Sequence, residues 1–168
     1  AAVDEAHRLG LLITSHSGEP SSYWAVEAGV DSIEHGYGLT DKTLELMAEK
    51  DTYYIPTIVC NLSAAFIEER EAFVREIEKE VDPEVVEGRV MVAYADERSP
   101  EMAGLQREIF QKALAKGVKI LPGGDSNPLG EIGLLEIEQF VLSGMTEMQA
   151  LVAATRHCAE LMQVEDEW

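Results

Sequence analysis

The sequence predicts an α/β domain built on a parallel sheet. Three observations carry this. Short apolar runs of strand length alternate with helix-length segments, as they do where helices cross over between parallel strands. The first run, Leu11-Leu-Ile-Thr-Ser15, is continuous rather than alternating, as expected of a strand covered on both faces. The polar residues able to do chemistry stand just after the strands' C-terminal ends, where β/α enzymes keep their active sites.

The elements follow in order. Residues 1–9 read as the end of an amphipathic helix stopped by Gly10. The run from Leu11 to Ser15 is a strand that delivers His16. Pro20, Ser21 and Ser22 open a helix that ends near Ala28-Gly29. Val30 to Glu34 is the second strand, and it delivers His35. Gly36 and Gly38 then let the backbone turn away. Thr40 caps a helix from about Asp41 to Lys50. Thr52 to Ile58 is a third strand, with Pro56 near its end because proline donates nothing to a ladder.

A long helical insertion, about 61–117, comes next in three pieces. Leu62 to Glu80 alternates apolar positions with a dense charged face, Asp82-Pro83 starts a second helix, and Ser99-Pro100 starts a third that ends at Lys116-Gly117. Val118 to Pro122 is the fourth strand and Gly123 to Asn127 its loop. A helix from about Glu131 to Ser143 follows. Thr146-x-x-Gln149 is a capping box for the last helix, which runs to about Met162. With no linker or repeat, 1–168 is expected to be one domain of four parallel strands, interrupted before the last.

Thirteen Lys+Arg against 32 Asp+Glu give a net charge of -19. That argues against a nucleic-acid partner, which needs a basic surface, and against anionic membranes. No run reaches the ~20 apolar residues of a spanning helix. The N-terminal residues carry no signal pattern and no initiator Met, so the chain reads as continuing from upstream. Cys60 and Cys158 lie far apart, outside any Cys-x-x-Cys pair. Free thiols in a reducing cytoplasm are the expectation.

His16, His35 and Asp125 occupy equivalent strand ends. Imidazole and carboxylate together suit Zn, Mn, Fe or Ni. Positions distant in sequence converge at the mouth of a parallel barrel. The Gly123-Gly124 pair fits a backbone that passes close to a neighbour. Tyr37, Glu19 and Asn127 lie in the rim loops and are candidates for substrate contact. Glu34 is expected to point away from the mouth if His35 points in, since strand side chains alternate. His7 reads as surface and His157 as a helix packing residue. No Gly-x-Ser-x-Gly elbow surrounds Ser15, Ser17 or Ser126, and no phosphate loop follows Gly124.

Several segments together resemble the amidohydrolase superfamily, in its imidazolonepropionase-like and prolidase-like branch. They are Ser15-His16, Ala28-Gly-Val-Asp-Ser-Ile-Glu-His-Gly36, Tyr54-Ile-Pro-Thr57, Gly117-Val-Lys-Ile-Leu-Pro-Gly-Gly-Asp-Ser126 and Ser143-Gly-Met-Thr-Glu-Met-Gln-Ala-Leu151. Ala153-Ala-Thr155 and His157-Cys-Ala159 are similar to the closing helix.

The resemblance implies the C-terminal half of a TIM-like (β/α)8 barrel, strands five to eight. It implies metal ligation by His16, His35 and Asp125, with His35 and Asp125 catalytic. The reaction implied is hydrolysis of a C–N amide bond, peptide-like, by metal-activated water whose proton Asp125 relays. Zn, or another divalent metal such as Mn, Fe or Ni, is the implied cofactor. The family's strand-one His-x-His and strand-four Lys have no counterpart here, and Gly124 stands where Thr is usual. An isolated half-barrel is therefore expected to be inactive. It is also expected to form a homo-dimer or higher oligomer that completes the barrel. The alternatives are a non-catalytic self-associating half-barrel and a deaminase or esterase of the same superfamily.

Overall fold

The computed structural model describes residues 1–61, 100–125 and 129–167. Helix α1 spans Ala2–Arg8, strand β1 Thr14–Gly18, helix α2 Ser21–Ala28, strand β2 Ser32–Tyr37, helix α3 Asp41–Glu49 and strand β3 Tyr53–Ile55. A single 3-10 turn, Ile58–Asn61, follows β3. Helix α4 is Pro100–Ala115, α5 Leu129–Leu142, α6 Glu147–Val152 and α7 Cys158–Met162. Between α6 and α7 the chain makes one π-helical turn, Ala153–His157. Most of the expected insertion lies outside the described residues, its last helix, α4, excepted. Among the described residues no helix is long and apolar enough to cross a membrane.

The sheet is parallel, in the order β1-β2-β3. The segment expected as a fourth strand contributes one parallel bridge, Tyr54 with Ile120. Two backbone bonds make it: Tyr54 N–H to the Lys119 carbonyl and Leu121 N–H to the Tyr54 carbonyl, each 2.9 Å.

The first strand begins later than its apolar run. Leu11 and Leu12 are 57% and 39% exposed, and the ladder to β2 starts with Thr14 opposite Ser32. Asp31 sets this start. Its carboxylate accepts the Ile13 N–H at 2.7 Å, and its own N–H donates to the Ile13 carbonyl at 2.9 Å. The expectation of a strand apolar on both faces therefore does not hold for β1. Ile33 and Tyr54, paired across the ladder, are fully buried against the helices. The opposite face carries Thr14, His16, Ser32 and Glu34, joined in part by hydroxyl bonds.

The core lies on the helix side. Val26 of α2, Leu44 and Met47 of α3, Phe110 of α4 and Phe140 of α5 are all fully buried there with Ile33 and Tyr54. Phe110 and Phe140 pack with ring centroids 5.0 Å apart. Burying side chains of this size contributes about 1.5–3 kcal/mol each. The caps read from the sequence are present. Thr40 Oγ1 accepts the Thr43 N–H, and Thr146 with Gln149 forms a reciprocal capping box.

Candidate active site

His16 lies in β1 and His35 in β2. The ladder sets His16 opposite Glu34, so those two side chains share a face, and regular alternation would send His35 to the other. His35 escapes this because its φ is 62°, in the left-handed region. Its ring comes back to the His16 side, with Nε2 2.9 Å from His16 Nδ1 and the rings edge-on at 4.3 Å. The sequence-based placement of Glu34 away from the mouth is thereby corrected: it stands beside the site. Its carboxylate accepts from Thr14 Oγ1 at 2.8 Å. Burial raises the Glu34 carboxyl, the Thr14 and Ser32 hydroxyls oppose that, and the charge of Asp125 adds to it.

Asp125 arrives from the segment bridged to β3. It too is left-handed, at φ 45°, and its Oδ2 stands 3.9 Å from His35 Nε2. The carboxylate side chain is 52% exposed while that of His35 is 5% exposed, so the acid faces outward and the imidazole is walled in. Gly123 makes the approach possible, because a Cβ there would collide with the Ile55 side chain. This is the close backbone passage that the glycine pair suggested.

Cys60 joins the group. One ligand-type atom from each of His35, Cys60 and Asp125 lies within 4.8 Å of the others. Cys60 Sγ also donates to Thr57 Oγ1 at 3.6 Å. Tyr37 stacks on His35 with ring centroids 5.3 Å apart and planes 2° from parallel. Glu19 lies between β1 and α2, and its carboxylate reaches the start of α3, where it accepts the Thr40 N–H at 3.2 Å and the Thr43 hydroxyl. Asn127 lies outside the described residues.

These donors fit a divalent cation. The His35 nitrogen lies 2.9 Å from one neighbour and 3.9 Å from the other, values that bracket the spacing of about 3.3 Å between ligands on one tetrahedral zinc. Two imidazoles and a carboxylate are the chemistry such an ion takes, and a thiol within reach favours a soft one.

Comparisons with known proteins give the family. The sequence pattern of the Amidohydrolase family matches residues 1–167. The chain belongs to that family. One relative, an uncharacterized protein of Mycobacterium tuberculosis, is 31% identical over 164 residues, which is 92% of this chain. Ochratoxinase of Aspergillus niger is 29% identical over 156 residues. The chain spans 38% of the first relative's length and 28% of the second's. Among solved structures, a Xaa-Pro dipeptidase with methionine bound in its active site matches with a TM-score of 0.69 and 30% identity, over 98% of this chain and 37% of that one. The A. niger ochratoxinase structure matches at 0.65 with 26% identity, over 95% and 32%.

Two buried side chains that bond to the backbone next to these site residues escaped the reading of the sequence. Gln106 of α4 donates to the His35 carbonyl and, at 2.8 Å, to the Pro56 carbonyl. Glu136 of α5 is fully buried and accepts the Ile58 and Val59 N–H groups at 2.9 and 2.8 Å. Burial pushes the Glu136 carboxyl up to about 8, against the pull of those two donors. A signal was present for Glu136, which stands in the apolar run Leu134-Leu-Glu-Ile137. A charge inside such a run calls for buried partners.

Proposed function

We propose that this chain carries part of the active site of a metal-dependent amidohydrolase that cleaves C–N amide bonds, with a peptide-like substrate. In this reading the chain forms strands five to eight of a (β/α)8 barrel, and His16, His35 and Asp125 hold a divalent ion, Zn before Mn, Fe or Ni. The observation that carries it is the meeting of His16 Nδ1, His35 Nε2 and the Asp125 carboxylate within 3.9 Å of the central nitrogen. The family membership and the dipeptidase and ochratoxinase likenesses support the reaction class.

A divalent ion bound there supplies an acidified water and polarises the carbonyl under attack. The chain's own groups do the rest. Asp125 is exposed enough to meet a substrate and is the group suited to take a proton from water and return it to the leaving nitrogen. Walls of buried residues around His35 keep its ring in place. Tyr37, flat against that ring, is proposed to border the substrate.

Calorimetric titration with Zn2+ and Mn2+ tests this. His35→Ala and Asp125→Ala are each expected to weaken binding at least about tenfold. Binding that neither substitution weakens, or none by the unsubstituted chain, refutes the site.

One observation favours a further proposal, self-association of the isolated chain into a homo-dimer or higher oligomer. Among the described residues β1 is paired on one side only, next to the exposed Leu11 and Leu12. Open strand edges recruit partners. Sedimentation equilibrium decides it, and a monomer at all concentrations sinks it.

A further inference from the structure

We propose that Glu136, remote from the reacting groups, is a positioning residue that sets the tautomer of His35 through Thr57. This rests on the proposed site, in which His35 acts through Nε2.

The argument starts at Thr57. It is a β-branched residue at φ 50°, a conformation that costs about 1–3 kcal/mol and persists only where neighbours hold it. Neighbours hold it on both sides. Gln106 donates to the Pro56 carbonyl before it at 2.8 Å. Glu136 takes the N–H groups of Ile58 and Val59 after it. Gln106 and Glu136 are 1% and 0% exposed, so no water competes for these bonds.

The consequence appears at the Thr57 hydroxyl. Its one hydrogen is donated to the Pro56 carbonyl at 2.7 Å. Oγ1 is then an acceptor for everything else. It takes the Cys60 thiol, and it stands 2.6 Å from His35 Nδ1. With the hydroxyl hydrogen on the Pro56 carbonyl, the proton of His35 is assigned to Nδ1. The lone pair is left on Nε2, the nitrogen facing His16 and Asp125. A hydroxyl that accepts from one ring nitrogen thus prepares the other for a cation. Glu136 matters because its two oxygens meet two successive N–H groups at once, and both accept fully when the carboxyl is ionised, above about pH 8. A glutamine offers one acceptor oxygen in the same space.

The test is nitrogen-15 NMR of the imidazoles in the metal-free chain at pH 9, where the Glu136 carboxyl is ionised. The unsubstituted protein is expected to show His35 with a pyrrole-type Nδ1 and a pyridine-type Nε2. In E136Q the two signals should average toward each other as the ring samples both tautomers, and Zn2+ affinity should fall about tenfold. T57V should reproduce the averaging, and T57S, which restores a hydroxyl, should not. An E136Q chain that loses thermal stability yet keeps the original His35 signals has only a structural glutamate, and the proposal fails. If E136Q does not fold, E136D takes its place. Its carboxylate is one methylene short, the same averaging is expected, and unchanged signals again overturn the relay. The tautomer readout needs no metal, so it stands or falls independently of Zn2+ uptake. Absence of uptake by the unsubstituted chain refutes the proposed function instead.

Discussion

Gly36→Ala strikes the backbone beside His35. Gly36 has φ +60°, and a Cβ added there would lie 2.6 Å from Leu39 Cδ1 and 2.7 Å from Tyr54 Cε2. Neither neighbour can retreat easily, since Leu39 is 4% exposed and Tyr54 fully buried. The left-handed conformation costs an alanine about 1–2 kcal/mol. Overpacking of a closed core adds about 1–3 kcal/mol. The sum is a loss of about 2–5 kcal/mol, a large part of the stability of an ordinary domain. Gly38→Ala isolates the first contribution, because Gly38 has φ +72° with nothing within 4 Å of the added carbon. Urea unfolding of both variants measures the difference, expected to be about 1–3 kcal/mol. Equal losses in the two variants would show that the predicted clash is relieved for free, and the reasoning about a rigid wall behind His35 would be refuted.

Thr40→Ala removes the cap of α3 together with one donor to Glu19. A loss of about 1 kcal/mol in denaturant unfolding is expected, and no loss would show that Glu19 replaces the cap. Glu136 should leave a pH signature. Its folded carboxyl, at about 8 against an ordinary 4.5, holds a proton that the unfolded chain has released. The stability it contributes is full below about 4.5 and is lost as pH rises through 8, at up to about 1.4 kcal/mol per pH unit. E136Q has no such titration, so its stability relative to the unsubstituted chain should improve between pH 5 and 8. A pH-independent difference would contradict this. Tyr54→Phe deletes the hydroxyl that donates to the His35 carbonyl at 3.1 Å. A destabilisation of about 1–3 kcal/mol by thermal or urea unfolding is expected, and a neutral result would mean that Gln106 satisfies the carbonyl alone. Thiol labelling should modify Cys158, which is partly exposed though burial raises its thiol, well before Cys60, which is fully buried. Simultaneous labelling would show that the site opens on the labelling timescale.

Much of this architecture was legible in the residues. Alternating strand and helix patterns, Thr40 and the Thr146–Gln149 box all acted locally, and local signals survive into the fold. The convergence of His16, His35 and Asp125 was legible because parallel topology aligns strand ends. Strand boundaries were not. Apolarity pointed to Leu11, whereas the ladder begins where Asp31 fixes Ile13. Nor was the orientation of Glu34. Period-two alternation assumes ordinary strand dihedrals, and the left-handed φ at His35 breaks it between adjacent residues. Gln106 and Glu136 act on backbone groups in other elements, 71 and 78 positions away at the far ends. No spacing rule reaches that distance.

The way the last of the three metal-type residues is anchored has its own consequence. His16 and His35 sit on strands paired along their lengths. The arm that brings Asp125 is stitched to β3 by a single bridge at Ile120, and its two bonds both run through Tyr54. Losing that stitch would leave the β1–β2–β3 ladder whole. The place of the carboxylate therefore depends on Tyr54 in a way that the place of the two imidazoles does not.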